Sequence, residues 1–252
     1  MAGYDCADTI TNQYRPASVY GTPAFWLRYF SPSPSATVVN VSSSNASSEC
    51  DAAWDSGGKY IGPICAPTQS RLSSNSYSEG QADAQTFASA LLQVYLWVAP
   101  FNLPTNGVVY CWLDQEPSTS LSSNYWNGWG SYIDGYNWNF TGTYPLFSCL
   151  YCNPCAPYPN CSTVNNPNNH VCWSIWSQQP QKCYTVSNPP PWSAEACSNT
   201  CAGSYSGPAT QLWQFRIQID YPTCTNLSTA VDMDVGGGIN YANYCFRLTS
   251  RP

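Results

Sequence analysis

Two carboxylates close an apolar, β-prone run near the middle of the chain, residues 108–117 (VVYCWLDQEP). Side chains alternate between the two faces of a strand, so Asp114 and Glu116 are expected to point to the same side. Pro117 cannot donate a hydrogen bond to a sheet, and it marks the end of the strand. Acids are scarce, at 14 of 252 residues. The pair therefore predicts a chemical site, against the alternative of a solvated strand end.

Acids also occur at the ends of the first and last predicted strands, where Asp5, Asp232 and Asp234 lie. The carboxyl ends of parallel barrel strands share one face, and active sites form there. Glycoside hydrolysis uses one carboxyl to protonate the leaving oxygen and a second as base, nucleophile or charge stabiliser. Like charges held close together raise the pKa of one partner and keep it protonated. This chemistry needs no metal and no cofactor, and none is expected.

Strands alternating with helices must position these acids. Strands are predicted over residues 3–7, 24–30, 59–66, 108–116, 144–151, 171–176, 212–217 and 230–235. Helices are predicted over 49–55, over 79–97, and from an N-cap at Ser122 or Ser123 through Ile133. The alternation predicts an α/β fold, a TIM-type (β/α) barrel with an irregular, helix-poor C-terminal half. We expect a single domain over residues 1–252.

The composition limits the partners. Charged residues make up 9% of the chain and the net charge is −6, which argues against binding to nucleic acid. No apolar run approaches the length of a membrane span, so no membrane insertion is expected. The low-charge, hydroxyl- and amide-rich composition is typical of extracellular proteins. The first residues show no signal-peptide pattern, so we expect a secreted protein, a monomer, whose signal has been removed.

Fourteen cysteines point to an oxidising compartment. They predict up to seven disulfides and a Cys/Pro/Asn-rich, disulfide-stapled insertion at about residues 152–210. The alternative is an iron–sulfur or zinc site at Cys149, Cys152 and Cys155. The single histidine, His170, excludes a His-rich metal site.

Aromatic residues are abundant, with 11 Trp and 19 Tyr. Trp173, Trp176 and Trp213 lie on strands predicted to reach the barrel mouth. Their rings are suited to stack on sugars, and the alternative is that they fill the core.

Seven segments in order resemble the lysozyme-like family 25 glycoside hydrolases and, more closely, the related secreted bacterial glycoside-hydrolase-like domains of undefined function. The opening Gly3-Tyr4-Asp5 is similar to their "G-[FIY]-D" start, and Leu113-Asp114-Gln115-Glu116 to their catalytic "D-x-E" strand. The other similar segments are residues 25–29 (FWLRY), 80–87 (GQADAQTF), 172–176 (CWSIW), 212–215 (LWQF) and 231–234 (VDMD). The resemblance covers nearly the whole chain and implies the same modified (β/α) barrel.

The resemblance also implies roles for individual residues. Glu116 would be the general acid, Asp114 would stabilise the transition state or orient the reacting group, and Asp5 and Asp232 would support them. The residues that would bind substrate are Arg28, Tyr29, Tyr151, Trp176, Trp213, Gln214 and Asp234.

Three functions remain open from the sequence. The leading one is a secreted glycoside hydrolase that cleaves a polysaccharide, with peptidoglycan as one candidate. The second is a catalytically inactive carbohydrate-binding or cell-surface protein on the same barrel, because a fold does not fix a function. The third is a secreted structural or assembly component.

Overall fold

The computed structural model describes residues 2–6, 10, 21–30, 39–42, 44–97, 101–102, 107–116, 118–136, 146–153, 161–178, 189, 210–216, 232–236 and 244–248. The strands are β1 (Ala2–Asp5), β2 (Phe25–Tyr29), β3 (Tyr60–Cys65), β4 (Phe101–Asn102), β5 (Val109–Asp114), β6 (Leu146–Cys152), β7 (Ile175–Gln178), β8 (Thr210–Arg216), β9 (Asp232–Gly236) and β10 (Phe246–Leu248). The helices are α1 (Ala46–Asp55), α2 (Gln69–Leu72), α3 (Tyr77–Trp97) and α4 (Ser123–Asp134). Within these residues, no helix has the length and hydropathy to cross a membrane.

The strands form one curled, mainly parallel sheet. Parallel pairings join β1 to β2, β2 to β3, β3 to β5, and then β5 through β8 in order. Strand β9 is antiparallel to both β8 and β1. The short strands β4 and β10 extend the sheet beside β3. The α/β fold is confirmed, and the curled sheet is consistent with a TIM-type barrel.

Side chains on the two faces of the sheet enter two separate apolar clusters. On β5, Val109, Cys111 and Leu113 pack toward the helices, whereas Tyr110 and Trp112 pack inside the curve of the sheet. Both faces are therefore buried, as in parallel sheets covered by helices. Asp114 continues the inward-facing series, which is why the strand delivers it to the concave side.

Helices α3 and α4 pack backbone to backbone through two glycines. A Cβ atom at Gly80 would overlap the carbonyl oxygen of Tyr125, and one at Gly128 would overlap that of Tyr77. The start of α4 is fixed by Ser122, whose hydroxyl accepts a hydrogen bond from the Tyr125 amide at 3.1 Å. The sequence predicts a cap at Ser122 or Ser123, and the structure places it at Ser122.

We expect Gly128→Ala to destabilise the protein by about 1–3 kcal/mol, because the added methyl group forces two tightly packed backbones apart. The measurement is the free energy of unfolding in urea. Gln85→Ala is the control, since Gln85 is an exposed position on α3 where such a change alters stability by less than about 0.5 kcal/mol. Equal stabilities of the two variants would contradict the close helix packing.

Within the predicted insertion at residues 152–210, the described residues belong to the sheet and the core, and they do not support a segment held mainly by disulfides. Residues 175–178 form β7 inside the sheet, and Cys161, Val164 and Cys172 are buried in the core. The His170 Nε2 atom lies 2.8 Å from the Asp134 carboxylate, and Trp126 Nε1 donates to the His170 carbonyl at 2.8 Å. The segment that precedes β7 is therefore anchored to α4.

The prediction of up to seven disulfides is not supported by the described cysteines. Eight described cysteines are buried and keep their thiol groups: Cys6, Cys50, Cys65, Cys111, Cys149, Cys152, Cys172 and Cys245. Cys161 is disulfide-bonded. The buried thiols act as small apolar side chains in the core. Burial raises the pKa of the Cys111 and Cys149 thiols, so both stay protonated and unreactive.

Candidate functional site

The acids of the first, middle and last strands converge inside the curve of the sheet. Asp5 ends β1, Asp114 ends β5, and Glu116 follows two residues later. Asp234 on β9 lies directly opposite Gly3 of β1, and the Asp5 and Asp234 side chains are hydrogen-bonded. The cluster therefore joins residues that are more than 200 positions apart in the sequence.

A chain of hydrogen bonds holds Asp5 in place. The Tyr151 hydroxyl donates to Gln214 Oε1 at 2.9 Å, and Gln214 Nε2 donates to Asp5 Oδ2 at 2.9 Å. Burial raises the pKa of Asp5 to about 6, although the hydrogen bonds from Asp234 and Gln214 and the charge of Arg28 act in the opposite direction. A hydrogen bond between two carboxyl groups requires one of them to carry a proton.

Asp114 and Glu116 differ in their exposure. Asp114 is 4% exposed, and no hydrogen-bond partner from the described part of the chain reaches its Oδ1 atom. Burial, and then the charges of Glu116 and Asp5, raise its pKa well above the ordinary value. Glu116 is half-buried, and its pKa is raised by burial and by the charge of Asp5. Glu116 therefore holds its proton to a higher pH than an ordinary glutamate, while its side chain remains partly accessible.

Gln69 is a positioning residue that the sequence did not reveal. It is the first residue of α2, a helix of four residues. Its amide donates to the Asp114 carbonyl at 3.2 Å and accepts from the Glu116 amide at 3.0 Å. The two bonds fix the backbone between the two acids. A glutamine in a short polar helix carries no periodic signal that could have identified it.

The expectation that Arg28 contacts substrate is wrong. Its side chain is fully buried on the helix side of β2, and Nε lies 2.6 Å from the Glu49 carboxylate of α1. Its remaining donors reach the carbonyls of Cys6 and Val39. Arg28 acts on the site from behind the sheet, since its charge lowers the pKa of Asp5.

The other predicted binding residues form the floor of the cluster. Trp176 is 1% exposed and donates from Nε1 to Asp234 Oδ1 at 2.9 Å, so its ring is not open for stacking on a sugar. It contacts Tyr151, with ring centroids 4.3 Å apart. Tyr29 is half-buried and packs on the same inner cluster. The side chains of Asp232 and Trp213 lie outside the described residues, although the register pairs Asp232 with Asp5.

Trp173 is not at the carboxyl end of the strands, because β7 begins only at Ile175. Its ring stacks on Phe147 near the start of β6, with centroids 4.2 Å apart. Its Nε1 donates to the Asp134 carboxylate at 2.7 Å. The apolar run over residues 171–176 concealed where the strand starts.

The strand geometry argues against a metal site at the CxxC pattern. Cys149 packs in the inner cluster and Cys152 in the outer one, because residues three apart in a strand face opposite sides. Two thiolates on opposite faces of a sheet do not bind one ion. Cys155 lies outside the described residues.

The fold is shared with solved structures, although no protein-family model and no curated protein matches the chain. An uncharacterized protein of B. stearothermophilus is similar over 97% of this chain and 99% of its own, with 17% identity and a TM-score of 0.67. The Tat-secreted protein Rv2525c of Mycobacterium tuberculosis, in complex with L-tartrate, is similar over 96% and 97%, with 13% identity and a TM-score of 0.54. Its complex with HEPES gives a TM-score of 0.51. These likenesses show a common fold.

The raised pKa of Asp5 gives stability a defined pH dependence. In the unfolded chain Asp5 ionises near 3.8, and in the folded protein near 6. Between these values the folded state binds the extra proton, so the contribution of Asp5 to stability is present below pH 3.8 and is lost as the pH rises through 6. We expect Asp5→Asn to reduce the fall in the free energy of unfolding over this pH range.

The measurement is the free energy of unfolding from pH 4 to pH 7 for the wild type and Asp5→Asn. Asp55→Asn serves as the control, since Asp55 is exposed at the end of α1. The wild type is expected to lose stability relative to Asp5→Asn over this range. Parallel curves for the two proteins would contradict the raised pKa.

Proposed function

We propose that the protein is a secreted glycoside hydrolase that cleaves a polysaccharide by carboxylate acid/base catalysis at the mouth of a closed TIM-type barrel. The observation that carries the proposal is the convergence of Asp5, Asp114, Glu116 and Asp234 on the concave side of the sheet. Paired carboxyls with separated pKa values are the machinery of glycoside hydrolysis. Secretion is supported by the Tat-secreted structural neighbour and by the low charge content of this chain.

Glu116 has the properties of the general acid. Its raised pKa keeps a proton available, and its half-exposed side chain allows contact with a glycosidic oxygen. In the proposed step, that proton passes to the leaving oxygen as the bond from that oxygen to the anomeric carbon breaks. Water then supplies the hydroxyl group to the anomeric carbon and returns a proton to the carboxylates.

Asp5 and Asp114 suit two different supporting roles. With a pKa of about 6, Asp5 is mainly ionised at neutral pH and supplies negative charge to the developing oxocarbenium ion. Burial favours the neutral form of Asp114, and its buried Oδ1 has no hydrogen-bond partner among the described residues. In this assignment Asp5 is the charge stabiliser and Asp114 orients the substrate.

The charge at the site bears on the substrate. The cluster contains four described acids, and Arg28, the cation whose charge acts on Asp5, is bonded to Glu49 behind the sheet. An acidic site in a chain of net charge −6 repels polyanions. We therefore propose that the substrate is a neutral polysaccharide rather than peptidoglycan.

The test is product release from a panel of insoluble and soluble glycans that includes peptidoglycan, chitin, cellulose, glucans and mannans. New reducing ends, identified by mass spectrometry, would support the proposal. Proton NMR of the first product gives the anomer and so distinguishes retention from inversion. Absence of cleavage across the panel would refute hydrolysis of these substrates.

Burial of the site favours a second candidate function, a non-catalytic carbohydrate-binding protein. Asp5, Asp114 and Asp234 are each at least 96% buried, which leaves Glu116 as the accessible acid of the four. Binding of a glycan with no release of reducing ends would support this function over the enzyme.

A further inference from the structure

A pocket of about 300 Å³ lies between α3 and α4, on the helix side of the sheet. It is lined by Tyr77, Gln81, Ser131, Tyr132, Gly135 and Tyr136. The acids lie on the concave side of the sheet, so this pocket is separate from the catalytic cluster. Its volume is at the lower end of the range for small-molecule sites and suits one or two sugar rings.

The shape of the pocket is set by the backbone. Helices α3 and α4 pack very closely at Gly80 and Gly128, where a Cβ atom would overlap a backbone carbonyl oxygen of the other helix. Tyr77 and Gln81 flank Gly80 on one helix, and Ser131 and Tyr132 follow Gly128 on the other. Four of the six lining residues are therefore held on the two helices, which reduces the entropy lost when a ligand binds.

The chemistry of the lining selects one class of ligand. None of the six residues is charged, so an ionic ligand would lack a counter-charge there. None is aliphatic, so a purely apolar ligand would leave the phenol, amide and hydroxyl groups without partners. Tyrosine faces together with these polar groups match a ring that has apolar C–H faces and hydroxyl edges.

The three tyrosines differ in exposure, because Tyr132 and Tyr136 are half-buried against the core whereas Tyr77 is exposed. Tyr132 and Tyr136 lie one turn apart with ring centroids 5.8 Å apart, and Tyr77 is 46% exposed. Partial burial and the neighbouring Tyr132 raise the pKa of Tyr136, so its phenol stays neutral and can donate a hydrogen bond.

We propose that this α3/α4 pocket is a second carbohydrate site, which binds a neutral sugar unit of a glycan chain on the flank of the barrel. It goes beyond the proposed hydrolase activity, since it performs no bond cleavage. Tyr77 and Gln81 provide the aromatic face and the amide that pairs with sugar hydroxyls. A flank site would hold the protein on a polymeric glycan and raise the local concentration of chain near the mouth.

The experiment is isothermal titration with neutral hexasaccharides of glucose, mannose and N-acetylglucosamine. The Glu116→Gln variant is used as the parent protein, so that no substrate is turned over during the titration. Tyr77→Ala and Gln81→Ala are made in that parent, since both side chains are exposed and their loss leaves the core intact. De-N-acetylated chitohexaose, which is cationic, is the charge control.

We expect at least one neutral hexasaccharide to bind the parent, with at least 10-fold weaker binding in Tyr77→Ala and in Gln81→Ala. A parent that binds none of the neutral sugars, or binding that both pocket variants leave unchanged, would overturn the proposal. The experiments distinguish failure of the α3/α4 sugar site from failure of the proposed hydrolase activity. If Tyr77→Ala weakens sugar binding but the wild type hydrolyses no glycan, only the α3/α4 site is supported. If the wild type hydrolyses a glycan but Tyr77→Ala leaves sugar binding unchanged, only the hydrolase is supported.

Discussion

Glu116→Gln is expected to lower kcat on the glycan that the panel identifies by about 10²–10⁴-fold, with little change in KM. The glutamine keeps the size and hydrogen-bonding capacity of the side chain but has no proton to give to the leaving oxygen. The raised pKa of Glu116 also predicts the shape of the pH profile. Activity should fall as the pH rises through that pKa, because the acid loses its proton.

The measurement is steady-state kinetics from pH 4 to pH 9 for the wild type and the variant. Glu79→Gln is the matched control, since Glu79 lies in the first turn of α3, on the helix side of the sheet. The control should keep both the rate and the pH profile of the wild type. A Glu116→Gln protein with wild-type turnover would remove Glu116 as the acid.

Arg28→Met is expected to destabilise the fold by about 3–5 kcal/mol, the usual cost of breaking a buried ion pair. Arg28 and Glu49 are 0% and 1% exposed, and the Glu49 carboxylate would be left in the core without its counter-charge. The carbonyls of Cys6 and Val39 would lose their donors as well. Unfolding in guanidinium chloride measures the loss.

Two further variants test the cause. The double variant Arg28→Met with Glu49→Leu removes both charges and should recover much of the lost stability. Arg71→Met is the matched control at the Arg71–Asp83 pair, where the arginine side chain is 34% exposed. Its loss should be smaller, because water still reaches the pair. Equal losses of unfolding free energy in Arg28→Met and Arg71→Met would show that burial of the ion pair does not determine the destabilisation.

The sequence was most informative where a local pattern has one structural solution. Strand alternation predicted Asp114 and Glu116 on one side, and the scarcity of acids drew attention to Asp5 and Asp232. The predicted N-cap of α4 was Ser122 or Ser123, and the structure places it at Ser122. These inferences depend on neighbours along the chain, which the sequence contains in full. The α/β architecture and most strand positions were also predicted from patterns among residues that are close together in the sequence.

The sequence was least informative where both sides of a strand are buried. In β2, Phe25 and Leu27 face the inner cluster while Trp26 and Arg28 face the helices, and both series are largely apolar. The alternation of side chains along the strand then defines two faces, but it does not indicate which face lies on the concave side of the sheet. The same ambiguity hid the start of β7, so that Trp173 and Trp176 were given roles that their positions do not allow.

By itself, the sequence determined which residues could do chemistry and which elements carry them, because residue type and period are local properties. Only the tertiary structure decided which groups meet. It bonded Asp5 to Gln214 and Asp234 across more than 200 residues, placed Arg28 with Glu49 behind the sheet, kept eight cysteines apart as thiols, and opened a tyrosine-lined pocket between α3 and α4. Each of these outcomes depends on the register and packing of distant segments, which no local pattern encodes.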